Sequence, residues 1–287
     1  MNKPRSSVGL VAALWVTAFL WPKFSEAAEP AAAAIKLYGF DAGHLSIADM
    51  GMFSDTGEGA GKPGNVVATS WLVRHPKGDL LWDTGLPDAL ADQPNGIDAP
   101  GGVAHMSVTT RLLDQLKSIG VAPSDIEYLA FSHMHADHTG NANAFATGPT
   151  WLLNSLELNY ALTTPGACDP TSFSAYTTAK KQTVDGDFDV FGDGTVRILR
   201  TPGHTPGHRV LQVRLAKAGT IILSGDLYHT HRNQHDGLVP PFNSSRADTL
   251  ASFDRVARIL KNTHGRLIIQ HAPEDLAAFP KPPKFLE

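Results

Sequence analysis

Ser132-His133-Met134-His135-Ala136-Asp137-His138-Thr139-Gly140 packs three histidines and an aspartate into six consecutive residues, from His133 to His138. Ile126 to Phe131, just ahead of it, is apolar enough to read as a buried strand, so the cluster begins where a strand ends. On an extended segment His133 and His135 project to the same side and can grip one ion. A turn then brings Asp137 and His138 round to a second ion. Imidazole with carboxylate suits zinc, iron, cobalt or manganese rather than a thiolate-loving ion. A histidine-rich surface loop would account for the cluster if it stood alone.

Three further segments accompany it: Thr201-Pro202-Gly203-His204-Thr205-Pro206-Gly207-His208, Ser224-Gly225-Asp226 and Ile268-Ile269-Gln270-His271. Each sets a ligand-type residue at the end of an expected strand, where α/β sheets gather their sites. Asp83-Thr84-Gly85 follows the apolar Leu80-Leu81-Trp82 in the same manner.

Outward from these segments the chain alternates hairpins with helices. Ile35 to Phe40 reads as a short strand. Val66–Val73 and Asp79–Trp82 flank a turn at His75 to Gly78; Asp187–Val190 and Val196–Leu199 flank Gly192-Asp193-Gly194. Val210–Val213 and Thr220–Leu223 form a third pair, and Leu267–Ile269 a last strand. Apolar spacing predicts a helix over Val108–Ile119. A second is expected over Ala247–Leu260, with Leu250, Phe253, Val256 and Leu260 on its buried face. The pattern suits a layered α/β sandwich better than a doubly wound parallel sheet.

The chain has 287 residues, 42% of them hydrophobic, enough to bury a real core. A formal charge of −4 gives no basic stripe and argues against nucleic acid as a partner. Residues 1–27 read as a secretory signal peptide. Lys3 and Arg5 precede the 14-residue apolar run Val8–Trp21, and Ser25-Glu26-Ala27 provides a cleavage site. That run is short of the ~20 residues a membrane-spanning helix needs, so no stable membrane anchor is expected after cleavage. Cleavage would leave 21 basic against 27 acidic side chains, a mature charge of −6. Residues 28–34 read as a linker and 35–287 as one domain, secreted or periplasmic. Cys168 is the single cysteine, so no intrachain disulfide can form; it reads as a small filler in a loop.

Taken in order, these segments make residues 36 to 272 resemble the metallo-β-lactamase superfamily. The resemblance implies an α/β, four-layer αββα metallo-β-lactamase sandwich, two β-sheets flanked by helices. It implies two divalent metal ions, foremost Zn2+, with Fe, Co and Mn open. His133, His135 and His204 would hold the first ion, and Asp137, His138 and His271 the second. Asp226 would bridge them beside a shared activated water. Asp83 reads either as an acceptor orienting a ligand imidazole or as a turn residue. His208 reads as packed rather than as part of the site. His44, His75, His105 and His264 read as surface or turn residues, and His231 and His235 as a solvated loop.

Within the superfamily, a bridging aspartate at Asp226 is atypical of β-lactamases. The helical C-terminal extension of glyoxalase-II types is not expected, since 16 residues follow His271, and the inserted domain of the nucleases has no counterpart. The remainder is similar to the N-acyl-homoserine lactonases, through Leu81 to Pro87, Thr201 to His208 and Asp41 to Gly51. Met50, Met52 and Phe53 would then belong to a mobile N-terminal loop over an acyl chain, with capping of the core as the alternative. The lactonase tyrosine three residues after the bridging aspartate is replaced by His229, with Tyr228 one step earlier. Either would hold the carbonyl oxygen as charge develops, with Asp137 as proton donor. The implied function is opening of a lactone ring, with N-acyl-homoserine lactone as substrate (quorum quenching). Alternatives are an organophosphate hydrolase like methyl parathion hydrolase, another ester or β-lactam hydrolase, or a catalytically inert metal-binding or ligand-sensing protein. The partner is a small molecule, and a homodimer is left open.

Overall fold

A computed structural model describes Met1 and residues 35–287. The expected signal peptide and linker lie outside the described residues. Among the described residues, thirteen strands form two sheets. The first contains β1 (Lys36–Ile47), β2 (Gly64–His75), β3 (Gly78–Trp82), β4 (Ile97–Asp98), β5 (Ala104–Ser107), β6 (Ile126–Ala130), β7 (Thr150–Leu153) and β8 (Lys181–Thr183), in the order β4-β5-β1-β2-β3-β6-β7-β8. The second contains β9 (Phe188–Asp189), β10 (Val196–Arg200), β11 (Arg209–Leu215), β12 (Gly219–Leu223) and β13 (Arg266–Ile268), in the order β13-β12-β11-β10-β9. Helices α1 (Leu112–Ser118), α2 (Ala136–Thr139), α3 (Ser155–Thr163), α4 (His231–Asp236), α5 (Arg246–Thr263) and α6 (Pro273–Ala278) connect them.

Alternation along the strands produces the layers. Leu80 and Trp82 of β3 face inward with Val196 and Ile198 of β10 and Leu211 and Val213 of β11, forming the core between the sheets. Leu81, one residue out of phase, joins Leu129 against Leu112 and Leu116 of α1. On the far side Leu199, Val210 and Ile222 pack under Phe253 and Val256 of α5. Helix, sheet, sheet, helix is the resulting order: the αββα sandwich. None of the helices in the described residues is long and apolar enough to cross a membrane.

Strand direction positions the site. β3 and β6 are parallel, as are β12 and β13, and β10 runs with β12 because each is antiparallel to β11. The segments after these strands carry Asp83, His133, His204, Asp226 and His271.

Several local expectations change. α1 begins at Leu112 rather than Val108, because its first amides are held from afar: Asp88 accepts from Leu112 N at 2.7 Å and Leu113 N at 3.1 Å. β1 continues to Ile47, past a bulge between Asp41 and His44, well beyond the strand end expected at Phe40. Leu250 is exposed. α5 instead buries Thr249 and Ser252, whose hydroxyls bond Ser245 O and Pro202 O. His75 is buried, stacked on Phe191 at 4.0 Å with Nε2 3.0 Å from Asp193 Oδ2, so it is not a surface residue. His231 and His235 lie on α4, a short helix rather than a loop. Cys168 is half-buried against the α1-side core, and burial pushes its thiol up to about 12, which makes it an inert filler.

Candidate metal centre

Seven residues from four segments converge into two neighbouring groups, His133–His135–His204–Asp226 and Asp137–His138–His271. In the first, His133 Nε2, His135 Nδ1 and His204 Nε2 stand 2.9, 3.1 and 3.2 Å from one another. A tetrahedral ion with N bonds of about 2.0–2.1 Å would space its ligands about 3.3 Å apart. Asp226 spans both groups. Its Oδ2 lies 3.3 Å from His204 Nε2, and its Oδ1 lies 3.0 Å from His138 Nε2 and 2.9 Å from His271 Nε2.

Proton placement tests whether metal fits. The outer nitrogens of the histidines meet acceptors: His138 Nδ1 faces Asp83 Oδ2 at 3.0 Å, His204 Nδ1 faces Asn243 Oδ1 at 3.0 Å, and His271 Nδ1 faces the Val67 carbonyl at 2.6 Å. Ser132 Oγ donates to Asp83 Oδ2 at 2.9 Å and so accepts from His133 Nδ1 at 3.0 Å. With the proton drawn to Nδ1 in these four rings, their Nε2 lone pairs point inward, whereas His135 turns Nδ1 toward the group. They meet a buried Asp226 Oδ1 that has no hydrogen-bond partner. Bare acceptors facing one another in a dry site need cations between them, and the donor set fits two ions.

Charge agrees with this. Burial holds His133 and His204 well below the ordinary histidine range and lowers His135. At His138 burial is overcome by Asp226, Asp83 and Asp137, which carry it well above that range; His271 is raised mainly by Asp226. Burial also works against the Asp226 carboxylate, yet His271, His138 and His133 hold it well below the usual range. The side formed by the carboxylates calls for positive charge.

Asp83 orients the His138 imidazole. It is fully buried at φ 58°, and its carboxylate accepts from Ser132 N, Ser132 Oγ, His138 Nδ1 and Gln270 Nε2. His208 accepts from Asp226 N at 2.9 Å through Nε2, so beyond packing it fixes the backbone of the bridging residue. Gly225 has φ 49°, and a Cβ there would lie 2.6 Å from Ser132 Cβ, which explains glycine before Asp226. Gln270, Asn243 and Phe242 also serve the site, and sequence reasoning assigned them no role. Gln270 lies in a quoted motif and so gave a signal; Asn243 and Phe242 stand in an irregular segment and gave none.

A cavity of about 290 Å³ opens on the two groups. His229 lines it, with Nε2 3.1 Å from Asp226 Oδ2 and its ring stacked on Phe53 at 4.6 Å. Tyr228 does not line it. Its ring stacks on Phe253 at 4.4 Å inside the α5-side core, because successive side chains on this extended stretch point to opposite sides. The expected catalytic role of Tyr228 is therefore withdrawn. Met52 and Phe53 line the cavity, whereas Met50 faces a separate hollow beside α4. The segment carrying them is tied down rather than loose. Met50–Phe53 is a 3₁₀ turn; Asp49 accepts from Gly51 N and Gly61 N, and Asn233 Nδ2 donates to Phe53 O.

Residues 63–263 match the metallo-beta-lactamase superfamily, and the chain belongs to it. Among curated relatives it is 28% identical to the N-acyl homoserine lactonase AttM of Azorhizobium caulinodans over 88% of this chain and 99% of that protein. It is 27% identical to an N-acyl homoserine lactonase of Bacillus thuringiensis over 74% of this chain and 83% of the relative. A solved N-acyl homoserine lactone hydrolase, with N-hexanoyl-L-homoserine bound at its catalytic metal centre, aligns with a TM-score of 0.76 and 25% identity. That alignment covers 88% of this chain and 98% of the other. Fold and site together define a metal-dependent hydrolase acting on ester bonds.

Proposed function

We propose that this enzyme opens the lactone ring of N-acyl-homoserine lactones, with His133, His135, Asp137, His138, His204, Asp226 and His271 holding two ions. The observation that carries this reading is the character of the cavity. Inward-facing imidazole lone pairs and Asp226 form its floor, and apart from His229 and Asp137 the remaining wall is apolar, including Ile47, Met52, Phe53, Val103 and Met106. A polar reacting ring on an apolar tail matches that division. The relatives named as lactonases support it.

Two divalent ions in such a site would supply a hydroxide nucleophile near neutral pH and polarise the carbonyl. The protein's own groups do the rest. Asp226 fixes the spacing of the two groups through its two oxygens. His229 Nδ1 is buried with no partner, so its proton belongs on Nε2, beside Asp226 Oδ2 at the cavity floor. From there Nε2–H can donate to the carbonyl oxygen as negative charge builds on it. Asp137, whose side chain is 22% exposed at the cavity, is placed to return a proton to the departing ring oxygen. Zinc is the resident ion we assign, because three imidazoles and a carboxylate around one point match its preferences.

A panel of N-acyl-homoserine lactones, a γ-lactone, a phosphotriester and a cephalosporin, followed by acid release and product chromatography, tests the assignment. Highest kcat/KM is expected on the acyl-homoserine lactones; a higher value on the phosphotriester or cephalosporin refutes it. Export of the enzyme rests on residues 1–27, and amino-terminal sequencing of mature protein should begin at Ala28.

A further inference from the structure

One enclosed carboxylate has no part in the chemistry above. Glu157, in the first turn of α3, is buried yet belongs to neither ligand group. Its Oε1 accepts from Met134 N at 2.9 Å, and its Oε2 accepts from Gly207 N at 3.0 Å. Met134 stands between His133 and His135, and Gly207 stands in the loop that carries His204. A single carboxylate thus joins the two loops that deliver the first ion's three nitrogens.

The surroundings make that join rigid. A Cβ at Gly207 would lie 2.3 Å from Asn154 Oδ1 and 2.5 Å from Glu157 Cβ, so the loop is pressed onto the start of α3. Asn154 Oδ1 accepts from Glu157 N at 3.0 Å, and its Nδ2 reaches Val184 O at 3.3 Å, anchoring that turn from behind. Burial pushes the Glu157 carboxyl up, opposed by hydrogen bonds from Thr205, Met134 N and Gly207 N and, more weakly, by the charge of fully buried Arg209. Arg209 in turn donates through Nη2 to Phe131 O at 2.7 Å and Leu152 O at 3.0 Å, at the ends of β6 and β7. The second group is oriented by other means, His138 by Asp83 and His271 by the Val67 carbonyl.

We infer that Glu157 is a positioning residue for the first ion alone: it sets the spacing between the His133–His135 loop and the His204 loop. The inference rests on the two-ion reading of the site. An amide cannot accept from both N–H groups, because its own NH2 must face one of them, so Glu157→Gln should part the loops. Glu157→Asp keeps the charge but is one methylene short and can reach only one donor.

Zinc affinities of the full-length protein and both variants, measured by competition with a chromophoric chelator alongside thermal unfolding, test this. Wild type is expected to bind two ions. Each variant should stay folded, keep one ion, and bind the other about 10–100-fold more weakly. Turnover should recover as zinc is raised. Equal weakening of both ions, or no weakening in a folded variant, overturns the inference; so does failure of both variants to fold, which would make Glu157 a determinant of the fold. Wild type binding fewer than two ions would instead remove the two-ion reading beneath it.

Discussion

Asp83→Asn is the sharpest perturbation of the proposed centre, because it changes one atom in a fully buried carboxylate that accepts four hydrogen bonds. These come from Ser132 N at 2.6 Å, Ser132 Oγ at 2.9 Å, His138 Nδ1 at 3.0 Å and Gln270 Nε2 at 2.9 Å. Whichever way the amide lies, its NH2 opposes a donor. The least costly choice turns it toward Ser132 N and keeps an oxygen for the other three. One buried donor left unpaired costs about 1–3 kcal/mol. Loss of charge assistance at the remaining three bonds costs about 1 kcal/mol each. The sum, about 4–6 kcal/mol, is a large part of a typical stability of about 5–15 kcal/mol. The metal-free variant should therefore unfold at much lower urea. Its second ion, which depends on His138, should bind about 10–100-fold more weakly. Urea unfolding followed by fluorescence, with zinc competition on the folded protein, reads both quantities. Stability within about 0.5 kcal/mol of wild type, together with unchanged zinc affinity, would refute the role given to Asp83.

Other expectations follow from the same geometry. His229→Ala should lower kcat by about 100–1,000-fold, the scale of a lost oxyanion donor, while both ions stay bound; an unchanged kcat discards that role. Burial pushes His208 down from 6.5 to about 4. The unfolded chain therefore takes up a proton below pH 6.5 that the folded chain refuses, and stability is lost as pH falls through that window. By pH 5 this histidine's share of the loss is about 2 kcal/mol, so metal-free His208→Gln should lose about that much less than metal-free wild type between pH 7 and pH 5 in urea unfolding. A keto group at the third carbon of the acyl chain would meet a wall without side-chain donors. Left unpaired it costs about 1–3 kcal/mol, so kcat/KM should fall about 5–150-fold against the unsubstituted chain. Equal values for the two substrates would show a polar partner in the tail cavity. Prolonged chelation should abolish turnover, and added zinc should restore it; activity of fully metal-free protein would remove the two-ion reading.

The ligand-type residues and a layered α/β sandwich were legible in the sequence because both depend on local pattern, whereas the four-layer order came from the family resemblance. His133 to His138 crowd donors that are rare elsewhere, and the alternation in Leu80-Leu81-Trp82 already marks two buried faces. The same holds for most strands, since an apolar run between turn residues carries its own signal. Tertiary structure alone decided the rest. Asp88 starts α1 from 24 residues away, Asn243 fixes His204 from 39 away, and Gln270 reaches Asp83 across 187 positions. Tyr228 and His229 are neighbours in sequence, yet one faces a core and the other the cavity. Contacts between distant segments depend on how two sheets pack, and a linear pattern holds no information on which side chains meet across that packing.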